Sequence, residues 1–222
     1  MASASRISRQ LQPAPSHCKL IDDQRFRALL SDEDWGRLPL AIWRRFSMRL
    51  ADGKTIVYVG EVDSAGISFA GWCIAQATRL IGRPLPTGGE TGVPMIVAVT
   101  EDAATGGQIW TRMTGRRSGF PQVIHSSKRF AGPTGLEEYV GCGVSMALTI
   151  CVADEALVFR SAGYFLQVGR LRGQMPDWLA PGELIVTHTD LGSEAFRFTL
   201  EITHARFGRL MRQSAVFKEA TS

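Results

Sequence analysis

Apolar positions along the chain first follow a helical period and then, for most of its length, a period of two. Between Asp22 and Phe46, the residues Phe26, Leu29, Leu30, Trp35, Leu38, Ile42, Trp43 and Phe46 recur at a broken 3.6-residue spacing, which predicts short amphipathic helices. Pro39 suits the first turn of a second helix, where its missing N–H costs nothing. A strand is predicted at Lys54–Val62, after the turn pair Asp52-Gly53. The stretch 68–82 reads as a helix capped by Ser68 and stopped by Gly82 and Pro84. Nearly all its faces are apolar or small, so it is expected to be buried or to line something greasy.

Beyond Pro86 the alternation predicts strands near Val93–Glu101, Gln108–Thr114, Gln122–Phe130, Tyr139–Val152, Ala156–Val168, Glu183–Asp190, Ala195–Ala205 and Met211–Phe217. The joints between them, such as "DAATGG", "GRRSGFP" and "GPTG", are turn chemistry. Consecutive strands with short joints pair as antiparallel hairpins, and so many of them must curve strongly or close. The predicted fold is therefore α+β: a strongly curved antiparallel sheet or incomplete β-barrel of about eight or nine strands, packed on N-terminal helices. Within "YVGCGVSMALTICV" the even positions, Val144, Met146 and Leu148 among them, form an apolar core face, while the odd positions are small or mildly polar. A two-residue turn at Asp154-Glu155 would set Arg160 beside Thr149 and Tyr164 beside Ser145 on that second face.

Composition narrows the picture. The chain has 222 residues, 45% of them hydrophobic and 21% charged, which suits one globular domain. Residues 1–21 read as a disordered leader without an apolar secretory segment, and 22–222 as a single α+β domain. The formal charge of +4 is small and spread out. The basic pairs Arg44-Arg45 and Arg116-Arg117 stand alone without a basic stripe, which argues against nucleic acid. Cys18, Cys73, Cys142 and Cys151 lie far apart in no paired motif, as free thiols in a reducing compartment do. No run approaches the roughly 18 apolar residues of a membrane span, so a cytoplasmic protein is expected, with peripheral membrane contact left open.

Candidate chemistry centres on "THTDLGSEAFRFTLEITH", residues 187–204. Parity puts Phe196, Phe198, Leu200 and Ile202 on one face, and a four-residue loop at 191–194 would bring His188 opposite Arg197. His188, Asp190, Arg197 and Glu201 would then share the other face, where carboxylates could keep an imidazole titrating near neutrality for acid–base work. Ligand-binding candidates are Trp72 on the apolar helix, then Trp110, Arg112 and His125, which could receive an anionic head group. Tyr139, Arg160 and Tyr164 on the small-residue sheet face complete the set. Neither metal-ligand spacing nor a phosphate or dinucleotide loop is present, so no metal or cofactor is expected.

The ordered segments "FRALL…W…LP", "RLIGRPLP", "VPMIVAVT", "IWTRMTGR", "PDWLAP" and "FRFTLEITHARFGRL" resemble the domain of unknown function family DUF4166, over roughly 22–217. The family's closing pattern maps onto Phe196, Phe198 and His204, while Phe46 stands where a His is usual. The resemblance implies an accessory role beside a nucleotide-dependent reductase, acting on small molecules or lipids. The leading expectation is a binder of an apolar or amphipathic small molecule or lipid, held between the sheet and buried helices. The alternatives are a cofactor-independent cyclase, isomerase or hydrolase using His188, and an interaction module for a reductase partner.

Overall fold

Residues 21–50, 54–82 and 85–220 are described by the computed structural model; the predicted leader lies almost wholly outside them. The two-residue strands β1 (Ile21–Asp22) and β2 (Met48–Arg49) pair and bracket the helical opening. Between them come a single 3-10 turn at Arg27–Leu29, α1 (Asp32–Arg37) and α2 (Leu40–Phe46). Ser31 caps α1 by accepting from the Asp34 N–H, and Pro39 sits immediately before α2, as its fixed φ allows. Then follow β3 (Thr55–Ile67), α3 (Phe69–Ala77), β4 (Pro94–Asp102), β5 (Gly107–Thr114) and β6 (Gln122–Arg129). The remainder is strand: β7 (Glu137–Gly141), β8 (Val144–Ala153), β9 (Ala156–Val168), β10 (Leu171–Gln174), β11 (Glu183–Gly192), β12 (Ala195–His204) and β13 (Gly208–Glu219).

Ten of these strands form a closed antiparallel barrel, in the order β3-β4-β5-β6-β7-β8-β9-β11-β12-β13, with β10 as an extra strand on β9. Met211–Glu219 of β13 pairs with β3 from Ile67 back to Tyr58, joining the end of the chain to its beginning. The protein is thus mostly β with a few short helices, and the barrel is complete where an incomplete one of eight or nine strands was expected. Closure satisfies the backbone groups that an edge would leave unpaired. Two differences account for the strand count. The run predicted as one strand over 139–152 turns at Cys142-Gly143 and becomes β7 and β8, and the predicted sheet omitted β10.

Parity places the core as the sequence indicates. Val144, Met146 and Leu148 are buried, and on β12 Phe196 and Ile202 are fully enclosed. One apolar cluster joins the helices to β8 and β9 through Phe26, Phe46 and Phe159. A second runs through Tyr58, Val97, Phe196 and Phe217. Each fully buried ring contributes about 1.5–3 kcal/mol relative to exposure.

The helix at 68–82 departs from expectation. Ser68 caps it by accepting from the Gly71 N–H, and Gly82 ends it in the left-handed region, both as predicted. It is shorter, however, and meets β13 where a Cβ at Gly71 would drive into the Leu210 carbonyl. Gly71 and Ala75 of α3 are buried, and Ala70 and Ile74 are half-buried against the same cluster as Leu210. A short helix buries one narrow stripe, so Phe69 and Trp72 are left exposed.

Candidate functional site inside the barrel

A ten-stranded ring encloses more space than its inward side chains fill. A cavity of about 70 Å³ remains inside the barrel, room for on the order of five waters. Trp110, Phe159, Phe198 and Phe217 supply most of its apolar wall. Its charged wall is built by a hairpin and the strand after it: Arg112 on β5, Lys128 on β6 and Glu138 on β7. The pairings Arg112↔Ile124 and Lys128↔Glu138 set all three on the inward face.

Lys128 Nζ donates to Glu138 Oε2 at 3.0 Å, and Arg112 Nη2 donates to Glu138 Oε1 at 3.2 Å and to Ser126 Oγ at 2.6 Å. The ammonium also lies 4.8 Å from the Trp110 ring centre and 5.4 Å from that of Phe159, within range of cation–π attraction. Burial by itself would raise the Glu138 carboxyl, but Lys128 and Arg112 outweigh it and hold the group at about 2. Lys128 is pulled downward, chiefly by burial, with Glu138 opposing. Two cations thus answer one carboxylate, and Arg112 Nε is buried without a hydrogen-bond partner. The wall is able to take a second anion.

A second buried polar cluster lies under α2. Arg45 reaches inward, its guanidinium 4.0 Å from the Phe196 ring centre, and donates to His188 Nε2 at 3.0 Å. An arginine only donates, so Nε2 carries the lone pair and the proton sits on Nδ1. The imidazole is fully buried, stacked on Phe196 at 4.8 Å and edge-on to Phe198 and Phe46. Burial first, and the Arg45 charge second, push His188 down to about 3. Nδ1 and Asp190 Oδ1 are both buried without hydrogen-bond partners. Tyr58, near Arg45, is pushed up to about 12 by burial despite that charge.

The structure separates the four residues of the predicted acid–base cluster. His188 pairs with Phe198, and Thr189 with Arg197, because the hairpin turns on two residues, Ser193 and Glu194, both at positive φ, and β11 carries one extra residue, Leu191, as a bulge between Asp190 and Gly192. That one-residue change of register turns His188 and Asp190 inward. Arg197 and Glu201 stay on the outer surface, paired with Asp63 and Arg212.

Of the ligand-binding candidates, Trp110 and Arg112 line the cavity, and Trp72 lines a separate outer groove. His125 pairs with Thr111 on the outer face, opposite in sense to Arg112. Tyr139 accepts from the Gly143 N–H, also outside. Arg160 lies beside Thr149 as expected and bonds Glu183 on the surface. Tyr164 falls opposite Met146 instead of Ser145, because β9 bulges at Ala162-Gly163, two residues facing the single Ala147 of β8; its hydroxyl donates to Gly182 O, and burial raises it to about 12.

Lys128, Glu138 and Arg45 are the charged residues of these two inner clusters that the sequence did not single out. The usable signal was hairpin parity, since Lys128 falls on the same inward side as Trp110 and Arg112 once the β5–β6 register is known. The cavity is walled by strands and the loop at Pro86, not by the helices. The model of a family described as domain of unknown function (DUF4166) matches residues 38–217. No curated protein and no solved structure matches the chain.

Proposed function

Since the chain belongs to the DUF4166 family, a description that assigns no activity, we propose a function from the interior of its own barrel. It binds a slender amphipathic small molecule, an apolar body bearing a carboxylate. The carboxylate sits against Arg112 and Lys128, and the apolar body lies along Trp110, Phe198 and Phe217. The observation that carries this reading is the wall of two cations to one anion beside an otherwise aromatic cavity. In so dry a place an unmatched cation is costly, and an arriving carboxylate removes that cost while its tail replaces cavity with contact. Glu138 is, on this view, the internal anion that keeps the empty barrel stable.

The test is calorimetric titration with a short-chain fatty acid, of a size the cavity can hold, and with the alcohol of equal length. The acid is expected to bind more tightly than the alcohol, and Arg112→Met to weaken the acid by roughly tenfold or more while leaving the alcohol unchanged. Glu138→Gln, which removes the competing carboxylate at similar volume, should tighten acid binding by roughly tenfold. Equal binding of acid and alcohol, or of neither, would sink the proposal.

A further inference from the structure

The outer groove that Trp72 lines is walled on one side by α3 and on the other by the connection from β5 to β6, and has a volume of about 450 Å³. Around it the surface is unusually apolar for a face turned to water. Phe69 is 81% exposed, Leu80 88% and Phe120 93%, and Phe69 stacks on the half-exposed Trp72 at 6.3 Å. Monomeric soluble proteins scatter such residues singly, and a cluster of them marks a contact surface.

Cations accompany these rings. Arg79 and Arg116 line the groove, and Arg117 follows directly. Arg79 donates to the neutral Gln76, and Arg116 to Thr87 and Gln122, so neither charge is cancelled by these contacts among the described residues. Glu90 is the acid at this rim, accepting from the backbone N–H of Arg117.

The groove also adjoins the barrel's interior. Arg116 and Gln122 line both the groove and a narrow gap beside it, and Pro86, Thr114 and Gln213 line both that gap and the inner cavity. Three neighbouring spaces, divided by these side chains, thus lie between the aromatic surface and the wall of Arg112 and Lys128.

We propose that the face carrying Phe69, Trp72, Leu80, Phe120, Arg79 and Arg117 docks onto an anionic phospholipid bilayer, with the groove as the passage by which the barrel's ligand enters from the membrane. Exposed Phe, Trp and Leu insert at the boundary between head groups and acyl chains, while arginines pair with lipid phosphates. The choice of a bilayer over a protein partner rests on complementarity, since arginines at the rim of exposed rings match lipid phosphates above an acyl layer; the passage, but not the docking, rests on the carboxylate-binding reading.

The full chain is sedimented with vesicles of phosphatidylcholine alone and with vesicles of phosphatidylcholine and phosphatidylserine in equal parts. Binding to the mixed vesicles is expected, with weaker binding to the neutral ones. Phe69→Ser with Phe120→Ser should cut binding to both by roughly tenfold or more. Arg79→Glu with Arg117→Glu should remove only the preference for phosphatidylserine. All four side chains lie on the surface, so circular dichroism should be unchanged. In a second measurement a radiolabelled short-chain fatty acid is loaded and its transfer to vesicles followed. The rate should rise with vesicle concentration in the wild type and lose that dependence in the double serine variant, whose equilibrium affinity stays the same. If the fatty acid fails to bind while vesicle binding behaves as stated, the ligand reading falls and the docking surface stands. Absence of wild-type binding to mixed vesicles, or serine variants that sediment as the wild type does, overturns the docking proposal and leaves the face to a protein partner.

Discussion

The barrel buries charge in two places, and the surroundings make them different devices. At Arg112, Lys128 and Glu138 the charges bond one another beside open space, and their sum is one positive charge in excess. At Arg45 and His188 the guanidinium and imidazole are packed against Phe46, Phe196 and Phe198, and the imidazole is sealed from solvent. Protons cannot be exchanged with a substrate through a closed stack of rings, whereas an anion can approach a wall that lines a cavity. On the proposed reading the first cluster is the one that binds, and the second fastens α2 to the barrel.

Breaking each cluster measures that contrast. Removing the anion from the first, by Glu138→Ala, leaves two buried cations facing each other. The expected loss is about 3–5 kcal/mol in urea unfolding. Arg45→Met in the second withdraws one donor from a neutral ring and should cost only about 1–3 kcal/mol. Equal losses would show that the two clusters are equally dry and equally closed, and the distinction would collapse.

Acid separates them next. The folded His188 titrates at about 3, below its ordinary 6.5. The unfolded chain therefore takes up a proton as the pH falls below that upper value, while the folded one does not. The contribution is fully present above the ordinary value and is lost progressively as the pH drops toward the folded one. At pH 5 the loss should be about 2 kcal/mol. His188→Gln, which keeps an acceptor for Arg45, should flatten thermal stability between roughly pH 6.5 and 5. Glu138, held at about 2 against an ordinary 4.5, contributes stability that is lost only below the latter value, so the wild-type slope above it belongs to the histidine cluster. An unchanged slope in His188→Gln would mean the ring is already open to protons.

Much of this architecture was readable because strands repeat every second residue. Phe196, Phe198 and Ile202 had to face inward together, and the turn at Asp154-Glu155 correctly put Arg160 beside Thr149. The sequence misplaces His188 for a local reason: Ser193 and Glu194 make the turn at positive φ without glycine at either position, and Leu191 bulges out of β11, so "LGSE" holds a two-residue turn and one unpaired residue where it reads as a four-residue loop. One residue of register then exchanged the two faces of β11. Lys128 and Glu138 were hidden by their own polarity. Charged residues on strands normally mark the wet side and enter a core only when paired, and that pairing depends on how β6 and β7 align across the loop at 130–136. Composition alone points the helix at 68–82 inward, yet it cannot distinguish a core helix from one that buries a single stripe, here Gly71 and Ala75, and leaves Phe69 and Trp72 exposed.

The outer face of β12 supplies the reference against which both buried clusters are judged. Arg197 follows Phe196 directly but points the other way, donating from Nε to Asp63 Oδ2 at 3.1 Å with both side chains partly in water. Water already solvates each charge, and two long side chains must be held still to keep the contact, so the pair gains little over its separated parts. Arg197→Ala should therefore change stability by under about 1 kcal/mol, and less still in high salt, where screening acts on exposed charges first. Urea unfolding at low and high salt checks this. A loss approaching that of Glu138→Ala would place Arg197 in a dry environment, and the inward and outward faces of the hairpin, on which both the ligand wall and the sealed histidine depend, would have to be exchanged.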